Sequence, residues 1–196
     1  MLEVMNRKKE RLQDPPIVQA LLTDPRAGWF WLFLRVWLGY KWIDAAWHKV
    51  TSPAWVETGV AVKGFWERAV VIPEAGRPAI AFDWYRGFLQ MLLDAEAYTW
   101  MAPLIAYGEL LVGIALVVGL FTGIAAFFGG LMNWNFMMAG TASSNPVLLM
   151  VAIGLILAWK VAGYIGLDYY VLPWVGTPWA GKPASSSDTR PTVAAT

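Results

Sequence analysis

Residues 98–167 read YTWMAPLIAYGELLVGIALVVGLFTGIAAFFGGLMNWNFMMAGTASSNPVLLMVAIGLILAWKVAGYIGL, 70 residues with two charges, Glu109 and Lys160. A soluble core in a chain of 196 residues cannot hide so much continuous apolar sequence. The whole chain is 58% hydrophobic and 15% charged, against roughly 25% charged in an average soluble domain. That balance excludes an ordinary soluble domain and a disordered chain. A net charge of +1 argues against a nucleic-acid binder, which would show a basic face.

Working outward, four stretches match the roughly 20 apolar residues of a membrane helix. They are residues 27–47, 98–121, 122–141 and 147–167. The first follows a polar-leaning segment and contains Arg35, Lys41 and Asp44, so it is not a signal peptide. Asp24-Pro25 and Asn145-Pro146 set a capping residue before a proline at two helix starts. GLFTG, residues 119–123, provides a tight turn between the second and third spans. The expectation is an all-α integral membrane four-helix bundle, residues 27–175, with an N-terminal segment 1–26 and a disordered tail 176–196.

An even number of spans puts both termini on one side. Arg7, Lys8, Lys9, Arg11 and Arg26 crowd the first 26 residues, twice the basic density of loop 48–97. Both termini are therefore expected in the cytoplasm and the loop outside. Within that loop DWYRGFLQMLLD, residues 83–94, puts Trp84, Tyr85, Phe88, Leu89, Met91 and Leu92 on one face. This predicts an amphipathic helix on the membrane surface or across the bundle mouth. Residues 53–72 form a second helical candidate, and PEAGRP, residues 73–78, a turn. Of the 13 tryptophans, Trp29, Trp31, Trp47, Trp100, Trp159 and Trp174 fall near span ends as an interfacial belt.

Ionisable groups inside spans carry the functional signal. Arg35 and Glu109 lie on antiparallel spans and are expected to pair. The pair is expected to fix helix packing, and Glu109 can also serve as a proton carrier or as a hydrogen-bond acceptor in a ligand cavity. Lys41, Asp44 and His48 share one stripe, Arg35, Gly39 and Trp42 another, and Lys49 is expected to snorkel outward. Asp44 and His48 are candidates for proton uptake at the outer side. Asn133 and Asn135 point about 200° apart at 100° per residue, so one is expected to bridge helices and the other to reach the loop or a ligand. Gly113, Gly119, Gly123, Gly129 and Gly130 offer surfaces for close helix approach.

The chain has no cysteine and one histidine, which leaves no thiol nucleophile, no cysteine-held cluster and no bis-histidine haem. No metal or flavin site is expected. Redox chemistry would need a bound organic cofactor or a partner.

Several segments together resemble the DoxX/DoxD-like membrane family, in particular the large subunit of thiosulfate:quinone oxidoreductase. They are Arg35, Gly39 and Lys49, KGFWERAV, DWYRGFLQMLLD, YGELLVGIALVVGLFTG, NWNFMMAGTASSNP and WKVAGYIGLD. The resemblance covers about residues 28–179. It implies a four-helix protein of a bacterial or archaeal cell membrane. It also implies electrons passing from a sulfur donor to quinone, with a small DoxA-like partner. By it, a quinone would occupy a cavity between the helices near Arg35 and Glu109, with Trp42 and Asn133 as further candidate contacts; Glu109, Arg35, Asp44 and His48 are the candidate catalytic residues. The competing expectation is a non-catalytic scaffold or accessory subunit of a larger membrane complex.

Overall fold

The computed structural model describes residues 14–175, and all regular structure among them is helical. The basic cluster at Arg7 to Arg11 and the tail from residue 176 lie outside the described residues. A short α1 (Pro16–Leu22) leads through a single 3-10 turn (Pro25–Ala27) into α2 (Gly28–Val50). Asp24 starts that turn as expected, accepting from the Arg26 amide at 2.8 Å. The central loop holds α3 (Pro53–Val56), α4 (Val60–Val70) and α5 (Asp83–Asp94). Three further long helices follow: α6 (Tyr98–Val118), α7 (Thr122–Met138) and α8 (Asn145–Leu157). After a one-residue break at Ala158, α9 (Trp159–Ala162), α10 (Asp168–Val171) and a final 3-10 turn (Leu172–Val175) close the described chain.

The four expected helices are present as α2, α6, α7 and α8, each with altered ends. α2 runs on through Lys49, whereas α6 stops at Val118 because Gly119 turns left-handed at φ +72°. α8 breaks at Ala158 rather than continuing to residue 167. Residues 53–72 split into α3 and α4 at Gly59, whose φ is +70°. Among the described helices α6 is the one long and apolar enough to cross a membrane, with 21 residues and mean hydropathy 2.0. α2 has the length but carries Arg35, Lys41, Asp44 and Lys49. α7 has 17 residues and α8 has 13, about 25 and 20 Å of helix.

Register between α2 and α6 is set where Gly39 meets Gly113. A Cβ on Gly39 would lie 2.8 Å from the Gly113 carbonyl oxygen, and one on Gly113 would lie 2.8 Å from the Ile43 amide nitrogen. The two backbones touch, so no side chain fits between them. Around this contact Leu38, Trp42, Val112, Leu116, Ala126, Ala152 and Leu155 form the bundle core. Trp31 belongs to that core and not to the interfacial belt. It is 5% exposed, and its indole N–H donates to the Leu21 carbonyl at 2.8 Å. Trp29, Trp47, Trp100 and Trp174 are exposed.

Residues between α2 and α6 form a cap with its own core. Val62, Trp66 and Ala69 of α4 pack with Ile80, Tyr85 and Leu89 against Tyr98, Ala102 and Ala139 at the bundle mouth. The expected amphipathic helix has the bounds of α5, but its apolar face is divided. Tyr85 and Leu89 are buried over the mouth, while Trp84, Phe88 and Met91 remain exposed. Asn135 reaches this cap: the Tyr85 hydroxyl donates to it at 3.1 Å. Burial pushes the Tyr85 phenol above its ordinary pKa, which keeps it a donor.

Candidate functional site

Among the described residues, five polar or charged ones are buried within the apolar core, while many large apolar side chains are exposed on the outside. Arg35, Glu109, Thr122, Asn133 and Asp168 are buried. Phe33, Leu104, Leu111, Ile124, Phe127, Phe128, Met150 and Ile153 are exposed on the four long helices. The buried polar groups form two centres at opposite ends.

The first centre lies under the cap and is built in layers. Gly129 of α7 lies against Trp42 and Val112: its Cβ position is 3.0 Å from the indole nitrogen and 3.2 Å from a Val112 methyl. One turn towards the cap, the same antiparallel helices bring Glu109 and Asn133 to a common level. One turn further stand Lys49, Phe136 and Trp55. Both carboxylate oxygens of Glu109 accept from Lys49 Nζ, at 2.5 and 2.6 Å. Glu109 is fully buried, and the Lys49 side chain is 19% exposed. The ammonium also lies 5.0 Å from the Trp55 ring centre and 5.3 Å from that of Phe136. Lys49 thus turns inward and does not snorkel.

On the inner side of Glu109 the polar groups are unpaired. Both side-chain polar atoms of Asn133 and the Trp42 Nε1 are buried without a hydrogen-bond partner. An indole N–H donor, an amide donor and an amide acceptor thus share the core with a carboxylate. Buried polar atoms are ordinarily satisfied by protein, water or ligand, so these three atoms are candidate contacts for a polar ligand.

The second centre lies at the far end. Arg35 Nη2 donates to the Ile165 carbonyl at 2.8 Å, and its Nη1 rests against Gly119 and Gly166. A Cβ on Gly119 would fall 1.4 Å from that nitrogen. Asp168 is near enough to act on Arg35 electrostatically. Its carboxylate accepts from the amides of Phe121 at 2.5 Å and Thr122 at 2.9 Å. These are the first amides of α7, whose own N-cap residue, Phe121, sits at φ +47° and supplies no side-chain cap. A carboxylate here complements the positive end of the helix. Sequence reading missed Asp168 because its partners are 46 and 47 residues away.

Arg35 and Glu109 do not pair. The Gly39–Gly113 register sets Arg35 level with Gly119, ten residues or about 15 Å along α6 from Glu109. Glu109, Trp42 and Asn133 come together as one cluster, and Arg35 belongs to the other centre. Asp44 and His48 join neither: both are exposed on the side of α2 opposite Trp42. No family model, curated protein or solved structure matches this chain.

Proposed function

We propose that the chain is a four-pass membrane protein of the DoxX/DoxD type whose buried Glu109 centre binds the head of a membrane quinone. On this reading it is the membrane subunit of a quinone-linked oxidoreductase. Electrons come from a sulfur donor such as thiosulfate through a small DoxA-like partner, as the resemblance implies. The large apolar side chains exposed along the long helices support the membrane setting, since lipid solvates exposed Phe and Leu side chains. The observation that carries the ligand reading is the layer at Glu109. An ion-paired carboxylate lies on one side of it, and an unpartnered amide and indole N–H lie on the other.

These groups fit a quinone head. Trp42 Nε1–H and Asn133 Nδ2–H are donors for a carbonyl, and Asn133 Oδ1 is an acceptor for a hydroxyl. A bound quinone would supply the acceptor chemistry, taking up two electrons from the donor and two protons per turnover to become the quinol. The chain's own residues do the rest. Glu109 holds a proton or releases it at a carboxylate oxygen, Lys49 balances its charge, and the Trp55 and Phe136 rings flank the ammonium.

The topology is tested with introduced cysteines, because the natural chain has none. Both termini are cytoplasmic on this reading, with Arg26 and Lys160 at the cytoplasmic end of the bundle. Thr58→Cys and Ala75→Cys should label from outside with an impermeant thiol reagent in intact cells, and Thr23→Cys should not. The reverse pattern would invert the topology.

The ligand reading is tested by purification in mild detergent. Quinone should copurify with the wild type, and Asn133→Leu should lower its occupancy about tenfold, the worth of one to two hydrogen bonds. Wild-type protein that keeps its partner proteins but holds no quinone, and that adds no donor-dependent quinone reduction to membranes, would favour the scaffold reading.

A further inference from the structure

We propose that the exposed face of α2 is a pairing surface for a second copy of this chain, with the two α2 helices parallel. The inference rests on the membrane reading and uses none of the chemistry at Glu109.

The face is unusual for a helix surrounded by lipid. Trp29, Phe30, Phe33, Val36, Tyr40 and Trp47 of α2 are exposed, as lipid requires. Among them Lys41, Asp44 and His48, at i, i+3 and i+7, are also exposed. Among the described residues none of the three makes an ion pair or a side-chain hydrogen bond, and Lys41 merely lies 6.0 Å from the ring centre of its neighbour Tyr40. The same spacing does pair in the cap, where Asp83 and Arg86 form a salt bridge. Depth makes the contrast sharper. Gly113 lies against both Gly39 and Ile43, so Lys41 and Asp44 are level with the inner part of α6. That is the helix long and apolar enough to span a bilayer. Charged groups at such a depth are costly when they face hydrocarbon and are found covered or paired.

A copy of the same helix provides the cover. Two chains inserted with the same topology have parallel α2 helices. A two-fold axis along the membrane normal then sets Lys41 of one copy beside Asp44 of the other, and the reverse contact is equivalent. The offset is three residues, about 4.5 Å along the axis, within reach of a lysine stem. The stripe carries one acid and one permanent base a single turn apart, so it is complementary to itself. Ala45, small and exposed beside it, lets the backbones approach.

The test uses the full-length chain in its membrane. His48→Cys, on the stripe nearer the cap, should form a disulfide-linked dimer on mild oxidation. Leu111→Cys, exposed on α6, should remain monomeric. By light scattering in mild detergent the wild type should be a dimer. Lys41→Asp and Asp44→Lys should each give monomers, and the combined swap should restore the dimer. These substitutions sit on the surface and leave the core intact, and the His48→Cys crosslink reports on the interface with both charges in place. A monomeric wild type, equal crosslinking at positions 48 and 111, or a dimer that survives both single reversals would overturn the proposal. So would a different protein bound at this face and lost on charge reversal. A chain that does not fractionate with membranes would overturn the membrane reading beneath it.

Discussion

Lys49→Met is expected to destabilise the protein by about 3–5 kcal/mol, the cost of leaving a buried carboxylate without its partner. Glu109 is fully buried, and both its oxygens bond the same ammonium. Few domains have more than about 5–15 kcal/mol to lose, so the variant should fold poorly or melt far below the wild type. Lys49→Met combined with Glu109→Leu removes both charges and should lie within about 2 kcal/mol of the wild type, because no unpaired charge remains. Thermal unfolding of the four proteins in one detergent completes the double-mutant cycle. Strict additivity would show that the two groups do not interact. The same cycle with Arg35→Met and Glu109→Leu should be additive, since those residues lie about 15 Å apart along the bundle.

A comparable loss is expected at the opposite end. Asp168→Ala removes the acceptor for two amides of α7 and the counter-charge for Arg35, in a fully buried site. Hydrogen bonds to charged groups contribute about 1.5–3 kcal/mol each, so the total loss should again reach about 3–5 kcal/mol. Asp168→Asn keeps one acceptor and the volume and should lose about half as much. Gly163→Ala should mimic the effect without touching the carboxylate, because its Cβ would lie 2.0 Å from Asp168 Oδ2. Unfolding temperatures equal to the wild type for Asp168→Ala would show that α7 needs no cap from this residue.

What was legible in the sequence is what short-range pattern determines. The bounds of α5 follow from its alternation of apolar and polar faces, and the tight turn after α6 follows from GLFTG. Length and hydropathy were enough for four long helices, because each carries its own apolar signal. The burial of Glu109 and Asn133 was also legible, since polar groups in an apolar helix face the bundle interior. The pairing of charges was not. Whether Glu109 meets Arg35 or Lys49 depends on how far α6 slides along α2, and the Gly39–Gly113 contact sets that register. The composition of each helix is the same in either register. Trp31 looked interfacial by its position in α2, and only the placement of α1, whose Leu21 takes its N–H, makes it a core residue. The common stripe of Asp44 and His48 follows from helical spacing, but which way that stripe faces depends on how α2 packs, and it faces away from the bundle.

The Asp168 cap also has a consequence for biosynthesis. Chains are made from the N-terminus, and the amides of Phe121 and Thr122 are complete long before their acceptor exists. They wait for a residue 46 to 47 positions later, beyond the whole of α8. Until then the start of α7 has backbone donors with no side-chain acceptor of its own, and Phe121 sits in a backbone conformation that nothing local favours. The turn between α6 and α7 is therefore written early in the chain and closed late. A nascent chain stopped before residue 168 has every apolar segment of the bundle but lacks the group that locks its third long helix in place, which makes Asp168 a late checkpoint in assembly.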